Sequence, residues 1–220
     1  MNYQTKSVAG FSLEFAAMNP NGFFFYSVYS VAGSVDPFLG TGSVHANDLL
    51  FALHAFAMSA VQLTQIWMYD RGKQGNVNLY VVGFLAVINC CALTSYIYEV
   101  SGHPIQNLHW DTFLVMGYCK AAITFVKYVP QVYLNYKRQS TVGWSLANVL
   151  LDLTGGTLSL AQMWIDAACL GQSLFGGEAF NIVKFILSIM SIIFDTIFLI
   201  QHYVLYGDAR KKHEKEEQMR

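Results

Sequence analysis

Apolar runs long enough to cross a bilayer follow one another almost without interruption in this chain, and no other feature restricts its fold as tightly. Six of them, about 20 residues each, are legible near residues 10–33, 47–69, 77–98, 112–136, 143–166 and 180–206. Lipid offers no hydrogen-bond partners, so each run must satisfy its own backbone, which predicts helices and an all-α integral membrane protein. Composition enters here as a check: 12% of the residues are charged, where a soluble domain carries about 25%. A net charge of −1 leaves no basic footprint for nucleic acid. The polar stretch 207–220 reads as a tail.

Charge placement sets the topology. Lys6, Arg71, Lys73, Lys137, Arg138 and the tail residues Arg210, Lys211, Lys212, Lys215 and Arg220 all fall on one side. The intervening connections, near 34–46, 99–111 and 167–179, carry neither Lys nor Arg. By the positive-inside rule both termini of the chain are cytosolic. No basic start leads into a short apolar core with a cleavage site, so no signal peptide is expected.

Three lysines, Lys120, Lys127 and Lys184, lie inside apolar runs, as do several carboxylates. An Asp at the centre of a span costs on the order of 3 kcal/mol to insert, so such residues usually serve a pathway. Lys120, Lys127 and Gln131 share one face of the fourth run, where Pro130-Gln131 is expected to close a helix and to act as a kink. Asn148 and Asp152 stand one turn apart in the fifth, Asp48 opens the second, and Asp195 lies deep in the sixth on the face of Lys184 and Ser188. Bland readings compete. Lys184, Lys120, Lys127 and Asp48 lie near enough to span ends to snorkel or anchor, and Glu14 suits a helix N-terminus. His54 and His202 read as helix hydrogen-bond partners, Trp144 as part of an interfacial aromatic belt, and the four cysteines as small apolar fillers.

An internal repeat links the first and fifth runs. At constant offset Asn2-Tyr3 matches Asn135-Tyr136, Ser7 matches Ser140, Gly10-x-Ser12-Leu13 matches Gly143-x-Ser145-Leu146, Asn19 falls on Asp152, and Gly22 on Gly155. The paired runs enter the membrane from the same side, so the two halves are parallel repeats. Met1 falls opposite Leu134 in this register. The partner of Pro130-Gln131 is therefore expected upstream of residue 1, in a span missing from an N-terminally truncated chain.

The run Lys127-Tyr-Val-Pro130-Gln131-Val-Tyr-Leu-Asn135, its basic turn, Ser140-Thr-Val-Gly143-Trp144-Ser145 and Asn148-x-x-x-Asp152-x-Thr-Gly-Gly156 resemble the second PQ-loop of the cystinosin family, proton-coupled cystine exporters of the lysosome. The likeness extends through Asn47-Asp48, Tyr69-Asp-Arg-Gly-Lys-Gln74, Phe194-Asp195 and Gln201-His202-Tyr203. It implies a SWEET-like architecture of two parallel three-helix bundles and a linker helix, with the first helix missing here. Residues 1–69 would form an incomplete first bundle, 77–98 the linker helix, 112–206 the second bundle and 207–220 a cytosolic tail.

The resemblance further implies that Asn19, Lys120, Lys127, Asn148 and Asp152 bind L-cystine, that Asp48, Asp152 and Asp195 carry protons, and that Pro130 and Gln131 form a hinge. Protons would be the coupling ion, with no cofactor, in a lysosomal or vacuolar membrane. The chemistry is coherent. Lysines can meet the carboxylates of a zwitterion, Asn and Asp oxygens its ammonium groups, and desolvation favours a neutral carboxylate that can accept a proton. A membrane receptor gripping a carboxylate terminus, or a carrier of another amino acid or a sugar, would share the architecture. An inactive truncated product is the remaining alternative, since a half lacking one helix and its hinge proline is expected to insert but transport poorly. No nucleophile–base pair, phosphate loop or metal-ligand spacing points to an enzyme.

Overall fold

The computed structural model describes residues 6–35, 44–102, 111–175 and 180–207. The tail 208–220, most of the lysine-free connections and the Asn2-Tyr3 end of the repeat lie outside the described residues. Six long helices make up the rest: α1 (Leu13–Val35), α2 (Ala46–Met68), α3 (Leu79–Val100), α4 (Thr112–Arg138), α5 (Leu146–Cys169) and α6 (Ile182–Ile200), which runs on into a π-turn at Gln201–Leu205.

The helix starts are written in short polar side chains. Ser12 Oγ accepts from the Phe15 amide at 3.2 Å and Ser145 Oγ from the Asn148 amide at 3.4 Å, the same cap at the two repeat-related positions. Asn78, Asp111 and Asn181 cap α3, α4 and α6 in the same way. Pro130 does not end its helix. α4 continues beyond it to Arg138 and stops at Gln139 in the left-handed region. A proline deletes one backbone bond, and the turns that follow are held from outside. Gln131 bonds to the segment entering α1, and Asn135 bonds to Gln201 of the π-turn at 2.9 Å.

α1 packs against α2 on one side and α4 on the other, α6 packs against both α4 and α5, and α3 rests on α4 with a lighter contact to α1. Outside faces are apolar. α3 buries only Val81 and Ala92 and exposes Leu79, Tyr80 and Val87, as a helix bathed in lipid should. Four helices (α2, α3, α4 and α6 with its π-turn) are long and apolar enough to cross a membrane by composition alone. α1 and α5 are as long, 23 and 24 residues, but Glu14, Asn19 and Asn21 in one and Asn148, Asp152 and Gln162 in the other dilute them. Asn19, Asn148, Asp152 and Gln162 face the interior, while Asn21 pairs with Asn89 of α3 at 3.1 Å.

The basic connections gather at one end of the molecule. Ser7 bridges to Asp70 as a short parallel β pair, and the glycines of the repeat meet backbone to backbone: a Cβ on Gly10 would collide with the Cα of Gly143. Gly143 takes a φ of +90°, open to glycine at little cost, and the turn it makes throws Trp144 inward. Trp144 is therefore no belt residue. It stacks on Phe11 at 5.6 Å and packs on Phe198 at 5.3 Å, closing that end with an aromatic cluster.

Candidate substrate cavity

A cavity of about 880 Å³ runs between α2 and α5, floored by α1, α4 and α6. It reaches from Phe11, Gln65 and Trp144 at the basic end to Asn47, Asp48 and Lys184 at the other. Among the described residues its ionisable lining comprises three lysines (Lys120, Lys127, Lys184), three aspartates (Asp48, Asp152, Asp195), His54 and the phenols of Tyr26 and Tyr128. Balanced fixed charge of both signs in a low-dielectric space suits a ligand that itself carries both signs.

The middle of the cavity is built by α1, α4 and α5. Lys127 is buried and donates to Asn19 Oδ1 at 2.8 Å. The next residue, Tyr128, donates from its hydroxyl to Asp152 Oδ2 at 2.6 Å. Neighbours on α4 thus engage the two repeat-related polar residues, a cation on the amide and a phenol on the carboxylate. Asn148, one turn before Asp152, lines the cavity with its side chain exposed to it. Lys120 is buried, with its ammonium 3.6 Å from the centre of the Phe23 ring.

Below Asp152 lies Asp195, 1% exposed. Ser191 Oγ sits 2.9 Å from Asp195 Oδ2 and 3.2 Å from the Asp152 carbonyl oxygen, so one hydroxyl joins the two positions. Asp195, Ser188 and Lys184 share the face of α6 expected from their spacing, and all three line the cavity. Lys184 is set about 16 Å further along the axis.

At that far end the sequence reading of Lys184 as an anchor fails. Lys184 is 4% exposed and pairs with Asp48, Nζ to Oδ2 2.9 Å, while also donating to Gln162 at 2.9 Å. Asp48 Oδ2 accepts the His45 amide, and the His45 ring contacts Asp166 at 2.9 Å. α2 is thereby tied to α5 and α6 across the cavity mouth. Nothing in the spacing of residues 48 and 184 signals this contact; only the balance of charge inside apolar runs hinted at it.

Gln131 is fully buried outside the cavity lining. Its Oε1 accepts from the Ser12 amide at 2.7 Å, and its Nε2 donates to the Gly10 carbonyl and to Asn135 Oδ1. Asn135 donates in turn to Gln201, and Gln201 to the Val132 carbonyl. Gln74 grips the same entry segment from the other side. It donates to the carbonyls of Val8, Ala9 and Phe11 and accepts from the Leu13 amide, a clamp the sequence reading missed.

An all-helical bundle with a charged interior cavity, floored by a proline-glutamine helix, defines a PQ-loop membrane protein, and the PQ loop repeat family matches residues 113–168. A cystinosin homologue of Dictyostelium discoideum is 37% identical over 96% of this chain and 76% of its own length. Cystinosin of Bos taurus is 40% identical over 96% of this chain and 58% of its own length. A cystine transporter of Saccharomyces cerevisiae is 28% identical over 92% of this chain and 85% of its own length. The chain belongs to the cystinosin family. It spans just over half the length of its insect and bovine relatives.

Proposed function

We infer that this chain carries L-cystine across an acidic organelle membrane, out to the cytosol, in exchange for the energy of protons moving the same way. The carrying observation is that three lysines and three aspartates line one cavity, with Lys127 on Asn19 and Tyr128 on Asp152 at its centre. The yeast relative's name, cystine transporter, supports the substrate. Lys120 and Lys127 would receive the carboxylates, and Asn19, Asn148 and Asp152 the ammonium groups. Asp152, Asp195 and Asp48 would take up protons, each now holding a hydrogen-bond donor that protonation would disturb.

Coupling requires only that protonation favour one of two packings of the halves. The aromatic cluster at Trp144 closes the basic end, which the placement of Lys and Arg would make cytosolic, and the Asp48–Lys184 pair would tie the lumenal end. Residues 1–69 and 112–206 would be the rocking halves, with 77–98 as linker and Pro130 with Gln131 as the hinge between α4 and the α1 entry. A lysosomal or vacuolar membrane supplies the acid.

The test is flux of radiolabelled L-cystine in proteoliposomes of the purified chain under an imposed pH gradient. The reading expects saturable flux that grows when the lumenal face is acid. Flux no greater than in empty liposomes at every gradient would refute it for this polypeptide.

A further inference from the structure

Buried lysines need a partner, and Lys120 has an unusual one. Among the described residues its ammonium has no carboxylate within ion-pair distance and no hydrogen-bond acceptor; the Phe23 ring, 3.6 Å away, is what it faces. Lys127 also views that ring, at 5.2 Å, besides its bond to Asn19. Phe23 stands one turn beyond Asn19 on α1 and so on the same face. The geometry that brings the ring and the lysine together is specific. A Cβ on Gly22 would come within 2.9 Å of Ile123 and 3.4 Å of Lys120 Cδ, so the bare backbone lets the lysine stem cross α1 at that point. Phe51 of α2 meets Phe23 edge-on at 5.9 Å and fixes its tilt.

We propose that Phe23 is a positioning residue for substrate: its ring face seats the Lys120 ammonium, with Lys127 at its margin, until a substrate carboxylate takes their place with it. A fixed counter-anion would have to be expelled before a carboxylate could bind, whereas an aromatic face holds a desolvated ammonium more weakly and without competing charge. The ring therefore leaves the Lys120 ammonium without a fixed anion and open to a substrate carboxylate. The substrate class it selects is a free α-carboxylate, and this rests on the transport reading above.

Two measurements test it. In the full chain labelled with carbon-13 at lysine Cε, the ring current of Phe23 should shift one lysine signal upfield. That signal should vanish in Lys120→Met, return to the ordinary position in Phe23→Leu, and move downfield on saturation with L-cystine. In flux assays Phe23→Leu should raise half-saturation by cystine about tenfold, while Phe23→Tyr stays within about twofold of wild type. In a Lys120→Met background Phe23→Leu should add less than about twofold. Absence of the upfield signal in wild type, or an equal loss from Phe23→Leu in both backgrounds, overturns the proposal. An upfield signal that ignores cystine in a protein that carries cystine also overturns it. The same insensitivity in a protein without cystine flux overturns the transport reading instead and leaves the Phe23 seat standing.

Discussion

Lys184 and Asp48, on the last helix and near the start of the second, form a buried ion pair of 2.9 Å that spans the mouth of the cavity. Both side chains are buried, so losing one partner leaves the other's charge uncompensated, with only Gln162 or the His45 amide beside it. Lys184→Met or Asp48→Asn should each destabilise the folded protein, on the order of 3 kcal/mol where the remaining charge cannot escape. The double substitution should recover most of that loss. Thermal unfolding of the purified variants in detergent checks it, and simple additivity of the two losses would remove the pair from the account.

Gln131 gives a second prediction. Gln131→Leu orphans the Ser12 amide, the Gly10 carbonyl and the Asn135 oxygen inside the protein, at about 1–3 kcal/mol for each group left unpaired. Gln131→Glu keeps the acceptor for Ser12 but sets a buried carboxylate oxygen against the Gly10 carbonyl and Asn135 Oδ1, so it too should be less stable than wild type. Equal stability of all three proteins would show that the network holds nothing.

A third concerns sidedness. A glycosylation acceptor placed in the lysine-free connection near 99–111, on a loop long enough to reach the transferase, should be modified in membranes, and one beside Lys137 should not. Modification at Lys137 would invert the topology and with it the direction of transport.

What could be read in advance follows from what periodicity encodes. Apolar runs gave the six helices because length and hydropathy are local properties, and the repeat register correctly paired Gly10 with Gly143 and Ser12 with Ser145, which share a backbone contact and a cap. The candidate site residues Asn19, Lys120, Lys127, Asn148 and Asp152 stood out because polar side chains inside apolar sequence are costly, and the fold brings all five to one cavity. Pro130 misled, since a proline marks a missing bond and cannot say whether neighbours will carry the helix onward. Trp144 misled because the left-handed turn at Gly143 decides where the indole points. The Gln74 clamp and the Tyr128–Asp152 bond were invisible, and the Lys184–Asp48 pair was hinted at only by the balance of charge. Each joins residues far apart in sequence, with no spacing rule to connect them.

The claim on which the account rests is that Asp152 couples protons to cystine. Its repeat partner, Asn19, is an amide that can never ionise, so Asp152 is the member of the pair able to change charge. Asp152→Asn fixes that position in a neutral form and keeps most of its hydrogen-bonding capacity, the Tyr128 hydroxyl included. The deciding measurement is cystine-evoked current at acidic and neutral pH on the lumenal face, with surface expression matched. The account predicts that Asp152→Asn still binds cystine and loses the acid-dependent current. A variant that keeps the wild-type current and its pH dependence would contradict it, leaving Asp152 as a helix–helix bond of the kind worth only about 0.6 kcal/mol in membranes.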